Sequence, residues 1–263
     1  MEGSVKTRAR QFQRFTRLNR ALHALMIVSF IAVYFLSDPQ TFDMRALPTA
    51  AAGISSGAAL WIFGGMFMGF GIKVPMFPFH TWLPDAHTQA PTQGSVILAA
   101  VLLKLGSYGF IRIALPILPD AARQWAPVIG VLAVIGIIYG ALGCLAQTDM
   151  KRLIAFSSVS HMGFVMLGIA AMNDIGINAA IFGMVAHGLI TGLLFFIAGS
   201  MKDRFHTLEI KRLGGMLIQA PKLGWILGLS TMASLGLPGL AGFWGEFPAI
   251  LAAYSPAPGI NEG

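Results

Sequence analysis

The sequence predicts an all-α, polytopic integral membrane protein, and three observations support this fold class. Of the 263 residues, 56% are hydrophobic and only 11% are charged, whereas soluble domains carry roughly 25% charged residues. The mean hydropathy is +0.71. Several apolar runs approach the roughly 20 residues that a helix needs to cross a bilayer. This combination indicates that most of the protein surface faces lipid.

About seven transmembrane helices are expected from runs of bilayer-spanning length. The first six cover about 21–36, 49–72, 93–115, 125–147, 153–172 and 175–201. The seventh begins near 223, is interrupted at Pro238-Gly239 and resumes to about 254. A second break is expected over 73–91, because the prolines there forbid a regular helix; they are Pro75, Pro78, Pro84 and Pro91.

The basic residues predict the orientation and the domain organisation. We expect a basic cytoplasmic tail over 1–20, a membrane domain over 21–254 and a C-terminal tail over 255–263. With the N-terminus inside, the cytoplasmic segments hold most Lys and Arg residues, as the positive-inside rule requires of a bacterial plasma-membrane protein. These residues include Lys151, Arg152, Lys202, Arg204, Lys211, Arg212 and Lys222. The net charge of +7 is spread over tails and loops, which argues against a nucleic-acid partner.

Two lysines are the first candidates for function, since a charge inside a bilayer costs about 2.5–3.5 kcal/mol on insertion scales. Lys104 lies near the middle of the third run. Desolvation there penalises its charged form, which suits a proton carrier; a structural ion pair is the alternative. Lys73 ends the second run beside Pro75. It is either a boundary lysine or a residue that lines the exposed backbone of a broken helix.

Two histidines and a glutamate form the second group of candidates. His161 and His187 lie in neighbouring runs, each one helical turn from a hydroxyl residue, Ser157 and Thr191 respectively. Histidine titrates near neutral pH, so the pair is either a proton relay or two hydrogen-bonded core residues. Glu246 follows the Pro238-Gly239 break, and acidic residues beside broken membrane helices are typical of ion sites. An interfacial glutamate is the alternative.

The proline-rich segment also carries His80, Asp85 and His87, as candidate ends of a proton path or as helix-capping loop residues. The single cysteine, Cys144, excludes an intrachain disulfide and any cysteine-ligated cluster. No carboxylate or thiolate lies at metal-ligand spacing from the histidines. Nucleotide and redox motifs are absent from the sequence. An ion-translocating chain would therefore take its energy from partner subunits or from an ion gradient.

Several motifs resemble the antiporter-like membrane subunits of complex I. They are KVPMFPFHTWLPDAH at 73–87 with APT at 90–92, SVILA at 95–99 with Leu103-Lys104, QTDMKRL at 147–153 and SSVSHMG at 157–163. The resemblance covers about 30–250, and residues 1–20 lie outside it. Within the family, the sequence is most similar to the branch of bacterial subunit M and mitochondrial chain 4, because that branch has Glu at the position of Glu246.

The resemblance implies a proton channel in a membrane arm, driven by quinone reduction elsewhere in the complex. Lys73, Lys104, His161, His187 and Glu246 match residues of the family's central hydrophilic axis. NADH, FMN, iron–sulfur clusters and quinone are expected on partner subunits, and no redox centre or cofactor on this chain. The expected spans form part of the family's antiporter-like fold of about fourteen helices, and the carboxylate partner of Lys73 lies outside them.

Two other functions remain open at this stage. The chain could belong to a cation/proton antiporter or to a membrane-bound hydrogenase, although Glu246 argues against both. It could also be a truncated remnant or a membrane scaffold that translocates nothing. The neighbouring genes would decide the first question, and a variant of Lys104 would decide the second.

Overall fold

A computed structural model describes residues 20–21 and 23–258, and these form a helical bundle. Most of the basic tail over 1–20 and residues 259–263 of the predicted C-terminal tail lie outside the described residues. The principal helices are α1 (His23–Leu36), α2 (Ser56–Lys73), α3 (Trp82–Gln89), α4 (Thr92–Ile117), α5 (Pro119–Leu145), α6 (Met150–Ala171), α7 (Asp174–Phe205), α8 (Pro221–Ser234) and α9 (Ala241–Tyr254). Shorter helical turns lie at Leu47–Ala50, Ala51–Gly53, Ile210–Arg212 and Met216–Gln219.

Four helices within the described residues are both long and apolar enough to cross a membrane, namely α4, α5, α6 and α7. Helix α1 is apolar but shorter. The all-helical fold is thus confirmed, whereas the predicted count of seven spans is not. The interruption at Pro238-Gly239 separates α8 from α9, which end and begin at Ser234 and Ala241.

One local prediction differs from the structure, and one local feature was not predicted. The segment over 73–91 is not wholly irregular, because α3 forms inside it. Pro84 fits there because it lies in the first turn, where a backbone N–H has no partner within the helix. Helix α4 is continuous over 26 residues but contains two π-helical segments, Leu98–Leu102 and Phe110–Ala114. Such insertions are rare and occur frequently at functional sites.

Helices α6 and α7 form the interior of the bundle. Their most apolar stretches are 67% and 61% buried, against 33% and 22% for α4 and α5. Helix α6 packs against α5, α7, α9 and α3, and α4 packs against α7. The N-terminus of α6 is capped by Asp149, whose Oδ1 accepts from the Arg152 N–H at 3.0 Å. Asn173 caps α7 in the same way, with 2.7 Å from its Oδ1 to the Gly176 nitrogen.

Helices α7 and α9 cross at a contact that only glycine permits. A Cβ atom at Gly245 would lie 2.6 Å from the Cα atom of Gly183. Because Gly245 directly precedes Glu246, this close approach also sets the depth at which that glutamate enters the bundle. The crossing therefore links the packing of the fold to the position of a candidate site residue.

We expect the substitution Gly245→Ala to destabilise the protein by about 1–3 kcal/mol, the usual cost of overpacking a well-packed contact. The measurement is thermal unfolding of the detergent-solubilised protein. Gly228→Ala in α8 is the matched control, since a Cβ atom there has nothing within 4 Å and alanine favours a helix by up to about 1 kcal/mol. Equal unfolding temperatures for the two variants would contradict the assigned crossing.

Candidate functional site

Four titratable side chains from four helices meet in the interior and form a continuous series, called here the titratable row. Its members are Lys104 on α4, His187 on α7, His161 on α6 and Glu246 on α9. Each of them stands on a helix whose other inward-facing residues are mostly apolar, so the row is a polar line through a membrane-type core. All four were candidates from the sequence, and the structure places them side by side.

The first contact of the row joins α4 to α7. Lys104 Nζ lies 2.5 Å from His187 Nδ1 and donates a second hydrogen bond to the Ala99 carbonyl oxygen. Ala99 belongs to the π-helical segment Leu98–Leu102. Close approach of the two helices depends on Gly188, where a Cβ atom would lie 2.9 Å from the Ala100 oxygen. The lysine is therefore held by one titratable partner and one backbone carbonyl.

The last contact of the row joins α6 to α9. His161 Nδ1 lies 2.7 Å from Glu246 Oε1, and His161 Nε2 lies 3.0 Å from Ser234 Oγ. The side chains of His161 and Glu246 are 17% and 21% exposed, so both groups are largely removed from the surface. Ser234 ends α8 immediately before the break. Both nitrogens of the His161 ring are thus engaged, one by a carboxylate and one by a hydroxyl.

A small cavity connects the two halves of the row. The rings of His161 and His187 have centroids 5.4 Å apart. Both line a cavity with about 20 Å³ of space for water centres, and a site needs roughly 10–15 Å³ to hold a water molecule. His187 Nε2 and Thr191 Oγ1 are buried without a hydrogen-bond partner among the described residues. A water molecule in this cavity would satisfy such atoms and bridge the gap.

Lys73 and the residues of the proline-rich segment stand apart from the row. Lys73 is exposed at the end of α2. Asp85 is also exposed, with its Oδ1 atom 3.5 Å from Arg152 Nη2. His80 is buried between the rings of Phe77 and Tyr139.

His87 is completely buried and stacks on Phe195 at 4.3 Å between ring centroids. Neither of its ring nitrogens has a hydrogen-bond partner among the described residues. Burial and, to a smaller extent, the positive charges of Lys151 and Lys104 together lower its pKa to about 4. Burial also lowers the pKa of His80. Burial thus favours the neutral form of both histidines, which lie between helices α2 and α4.

The structure corrects two expectations and adds one residue. Ser157 is not the hydrogen-bond partner of His161, because its hydroxyl donates to the Ile154 carbonyl oxygen in its own helix. The hydroxyl partner of His161 is Ser234, which sequence spacing could not reveal because it lies on another helix. Lys151, expected in a cytoplasmic loop, is instead 1% exposed within the first turn of α6.

The arrangement can pass protons between neighbouring side chains. Lysine, histidine and glutamate can each take up and release a proton, and membrane-buried series of such groups mark proton relays. None of the described residues forms a cluster of three or more His, Cys, Asp or Glu with metal-binding geometry. Four separate helices thus bring together four side chains that can each take up and release a proton.

Comparison with known proteins gives consistent matches. A family model described as NADH:quinone oxidoreductase/Mrp antiporter, TM, matches residues 6–258. The match thus extends beyond 30–250 and includes most of the basic segment that the motif resemblance omitted. The NADH-quinone oxidoreductase subunit M of Rickettsia bellii (strain RML369-C) is 46% identical over 222 residues, which are 84% of this chain and 45% of the relative. That of Rhodobacter capsulatus is 44% identical over 239 residues, or 88% and 47% of the two chains.

Solved structures show the same fold. A chain of respiratory complex I from Thermus thermophilus with bound NADH aligns with a TM-score of 0.86 and 34% identity, covering 94% of this chain and 52% of that one. A chain of the Mrp complex from Dietzia sp. DQ12-45-1b aligns with a TM-score of 0.79 and 22% identity, covering 91% and 44%. The resemblance predicted from the motifs is confirmed. The chain spans about half the length of the curated relatives it matches.

Proposed function

The chain belongs to the NADH:quinone oxidoreductase/Mrp antiporter transmembrane family, and we propose that it is a proton-translocating membrane-arm subunit of an NADH:quinone oxidoreductase. The protons move along the titratable row, and quinone reduction elsewhere in the complex drives them. NADH, FMN, iron–sulfur clusters and quinone are held by partner subunits. The similarity to relatives named subunit M supports this assignment over an antiporter.

One observation carries the proposal: the hydrogen-bonded contacts from Lys104 to His187 and from His161 to Glu246, separated by one water-sized cavity. Proton transfer requires donor and acceptor within hydrogen-bonding reach or one water apart. Burying four titratable side chains in a membrane costs free energy. Their arrangement next to one another therefore favours a shared role in a proton path over four independent structural roles.

The proposed transfer proceeds by short steps between named atoms. The Lys104 ammonium gives a proton to His187 Nδ1 and becomes a neutral amine. His187 releases a proton from Nε2 into the cavity, through which it reaches His161 Nε2 beside the Ser234 hydroxyl. His161 then passes a proton from Nδ1 to Glu246 Oε1. Each step moves one proton and leaves the heavy atoms in place, and the same contacts serve transfer in the reverse direction.

The remaining candidates have roles at the ends of this path. Lys73 is exposed at the end of α2, and the family resemblance pairs it with a carboxylate that lies outside the expected spans. His80 and His87 are buried in the segment between α2 and α4 and are candidates for the end of the path nearest Lys104. With the N-terminus in the cytoplasm, this segment lies on the cytoplasmic side and contains the entry to the path.

Assembly is tested by native electrophoresis of gently solubilised membranes, with an antibody against the loop at 202–222. We expect the chain in a very large complex that also carries NADH dehydrogenase activity. Migration as a small species without that activity would contradict the proposed membership of a working complex.

A further inference from the structure

Lys151 is a buried cation that the proposed path does not use. It occupies the second position of α6 and is 1% exposed, among the largest fully buried side chains of the protein. A buried lysine costs free energy that an apolar residue of similar length would avoid. Its donor atom is used, since Nζ donates to the Ala90 carbonyl oxygen at 3.0 Å. This bond joins the start of α6 to the junction between α3 and α4.

The junction is the α3–α4 corner, residues 88–92. Ala90 has extended backbone and ends α3, and Pro91 precedes α4 and offers no N–H. The corner therefore needs outside contacts to fix its geometry. Ser95 Oγ supplies one by donating to the His87 carbonyl oxygen at 3.2 Å. Lys151 supplies another, and it is the one that reaches across to α6.

Arg152, the next residue, makes a weaker contact to the same region. Its Nη2 atom lies 3.5 Å from Asp85 Oδ1, and the two side chains are 45% and 71% exposed. Exposed ion pairs contribute about 0–1 kcal/mol, whereas a buried hydrogen bond from a charged donor contributes more. Lys151 is consequently the stronger of the two ties between α6 and the corner.

We propose that Lys151 is a positioning residue that ties the α3–α4 corner to α6 and so holds both His87 and the start of α4 in place for proton transfer. This inference rests on the proposed function. His87 lies one residue before the corner, and its ring nitrogens have no hydrogen-bond partner among the described residues; the ring is held by its stack on Phe195. Helix α4 begins at the corner and carries Lys104. The hydrogen bond from Lys151 to Ala90 thus positions both His87 and the helix that carries Lys104.

The test uses Lys151→Met, Lys151→Arg and the control Lys211→Met, which changes an exposed lysine in the segment that pairs with the start of α6. Each is introduced into the native gene, and the intact complex is studied in membrane vesicles. Hydrogen–deuterium exchange of the peptide over 82–95 reports on the corner. NADH-driven acidification of the vesicles reports on translocation. Methionine is chosen because it removes the charge without leaving a large cavity.

We expect Lys151→Met to raise exchange at the corner about tenfold and to lower acidification about fivefold, as the loss of a charge-assisted hydrogen bond implies. Lys151→Arg keeps a cationic donor and should restore both values to within about twofold. Lys211→Met should resemble the wild type. Rescue by arginine separates positioning from a general loss of stability.

Three results would overturn the inference in different ways. Unchanged exchange in Lys151→Met would mean that no tie exists. Raised exchange with normal acidification would make Lys151 a structural tether without a role in transfer. Normal acidification in both Lys151→Met and a Lys104→Met variant would overturn the proposed function along with the inference, and this pattern differs from the first two.

Discussion

Replacing Lys104 by methionine is expected to lower NADH-driven proton translocation by more than about tenfold, equivalent to at least about 1.4 kcal/mol in an activation barrier. Methionine keeps the length and the apolar stem but cannot give a proton to His187, whose Nδ1 lies 2.5 Å from the lysine nitrogen. The path loses its first donor, while the packing of α4 against α7 is preserved. Acidification of inverted membrane vesicles, followed with a pH-sensitive dye, measures the effect.

The control for this variant is Lys222→Met, which removes an exposed lysine at the start of α8. NADH oxidation with a soluble electron acceptor shows for both variants that the complex has assembled. Wild-type acidification by Lys104→Met, with assembly intact, would make the lysine a structural element and would favour the scaffold hypothesis that the sequence left open.

Replacing Glu246 by glutamine is expected to have a comparably large effect, again about tenfold or more. Glutamine preserves the shape and a hydrogen bond to His161, but it can neither accept a proton nor release one. Because Glu246 Oε1 is the partner of His161 Nδ1 at 2.7 Å, the row would end at a group that does not titrate. Vesicle acidification normalised to the amount of assembled complex is the measurement.

The control for Glu246→Gln is Glu209→Gln, which removes the same charge from an exposed glutamate. Glu209 forms an exposed ion pair with Arg212 at 2.7 Å, a type of contact that contributes little to stability. We expect this variant to translocate as the wild type does. If Glu246→Gln and Glu209→Gln were equally active, the carboxylate of Glu246 would have no part in the path.

The sequence predicted the members of the row because titratable groups are conspicuous in apolar runs. Lys104 and Glu246 could be singled out from their surroundings alone, since a charge in a bilayer is costly. Their mutual contacts could not be predicted, because Lys104, His187, His161 and Glu246 lie on four helices. The pairing of helices depends on close approaches such as that of Gly183 to Gly245. The spacing of residues along the sequence does not reveal which helices pair.

Two features escaped the sequence analysis for related reasons. Lys151 follows Asp149 in a short polar connection, and such residues usually face water; its burial results from α3 folding back against α6. The π-helical segment at Leu98–Leu102 is equally hidden, because a single inserted residue leaves the apolar pattern of α4 almost unchanged. It matters for the site, since Ala99 in that segment accepts the second hydrogen bond of Lys104.

Span number was the least secure part of the fold prediction. Four helices within the described residues are long and apolar enough to cross a bilayer, and α8 and α9 each have 14 residues. The break between α8 and α9 divides an apolar stretch that composition alone would count as one span. Glu246 lies just after this break, so the feature that complicates the count is also the one that brings a carboxylate to the interior.

The most direct test of the titratable row is vesicle acidification by the variant His161→Gln. Glutamine can still form hydrogen bonds with Ser234 and Glu246, but it cannot carry a proton between the cavity and the carboxylate. We expect a fall of about tenfold or more in NADH-driven translocation with the complex fully assembled. Translocation at the wild-type rate would contradict the account, because protons would then cross the membrane without passing through the centre of the row.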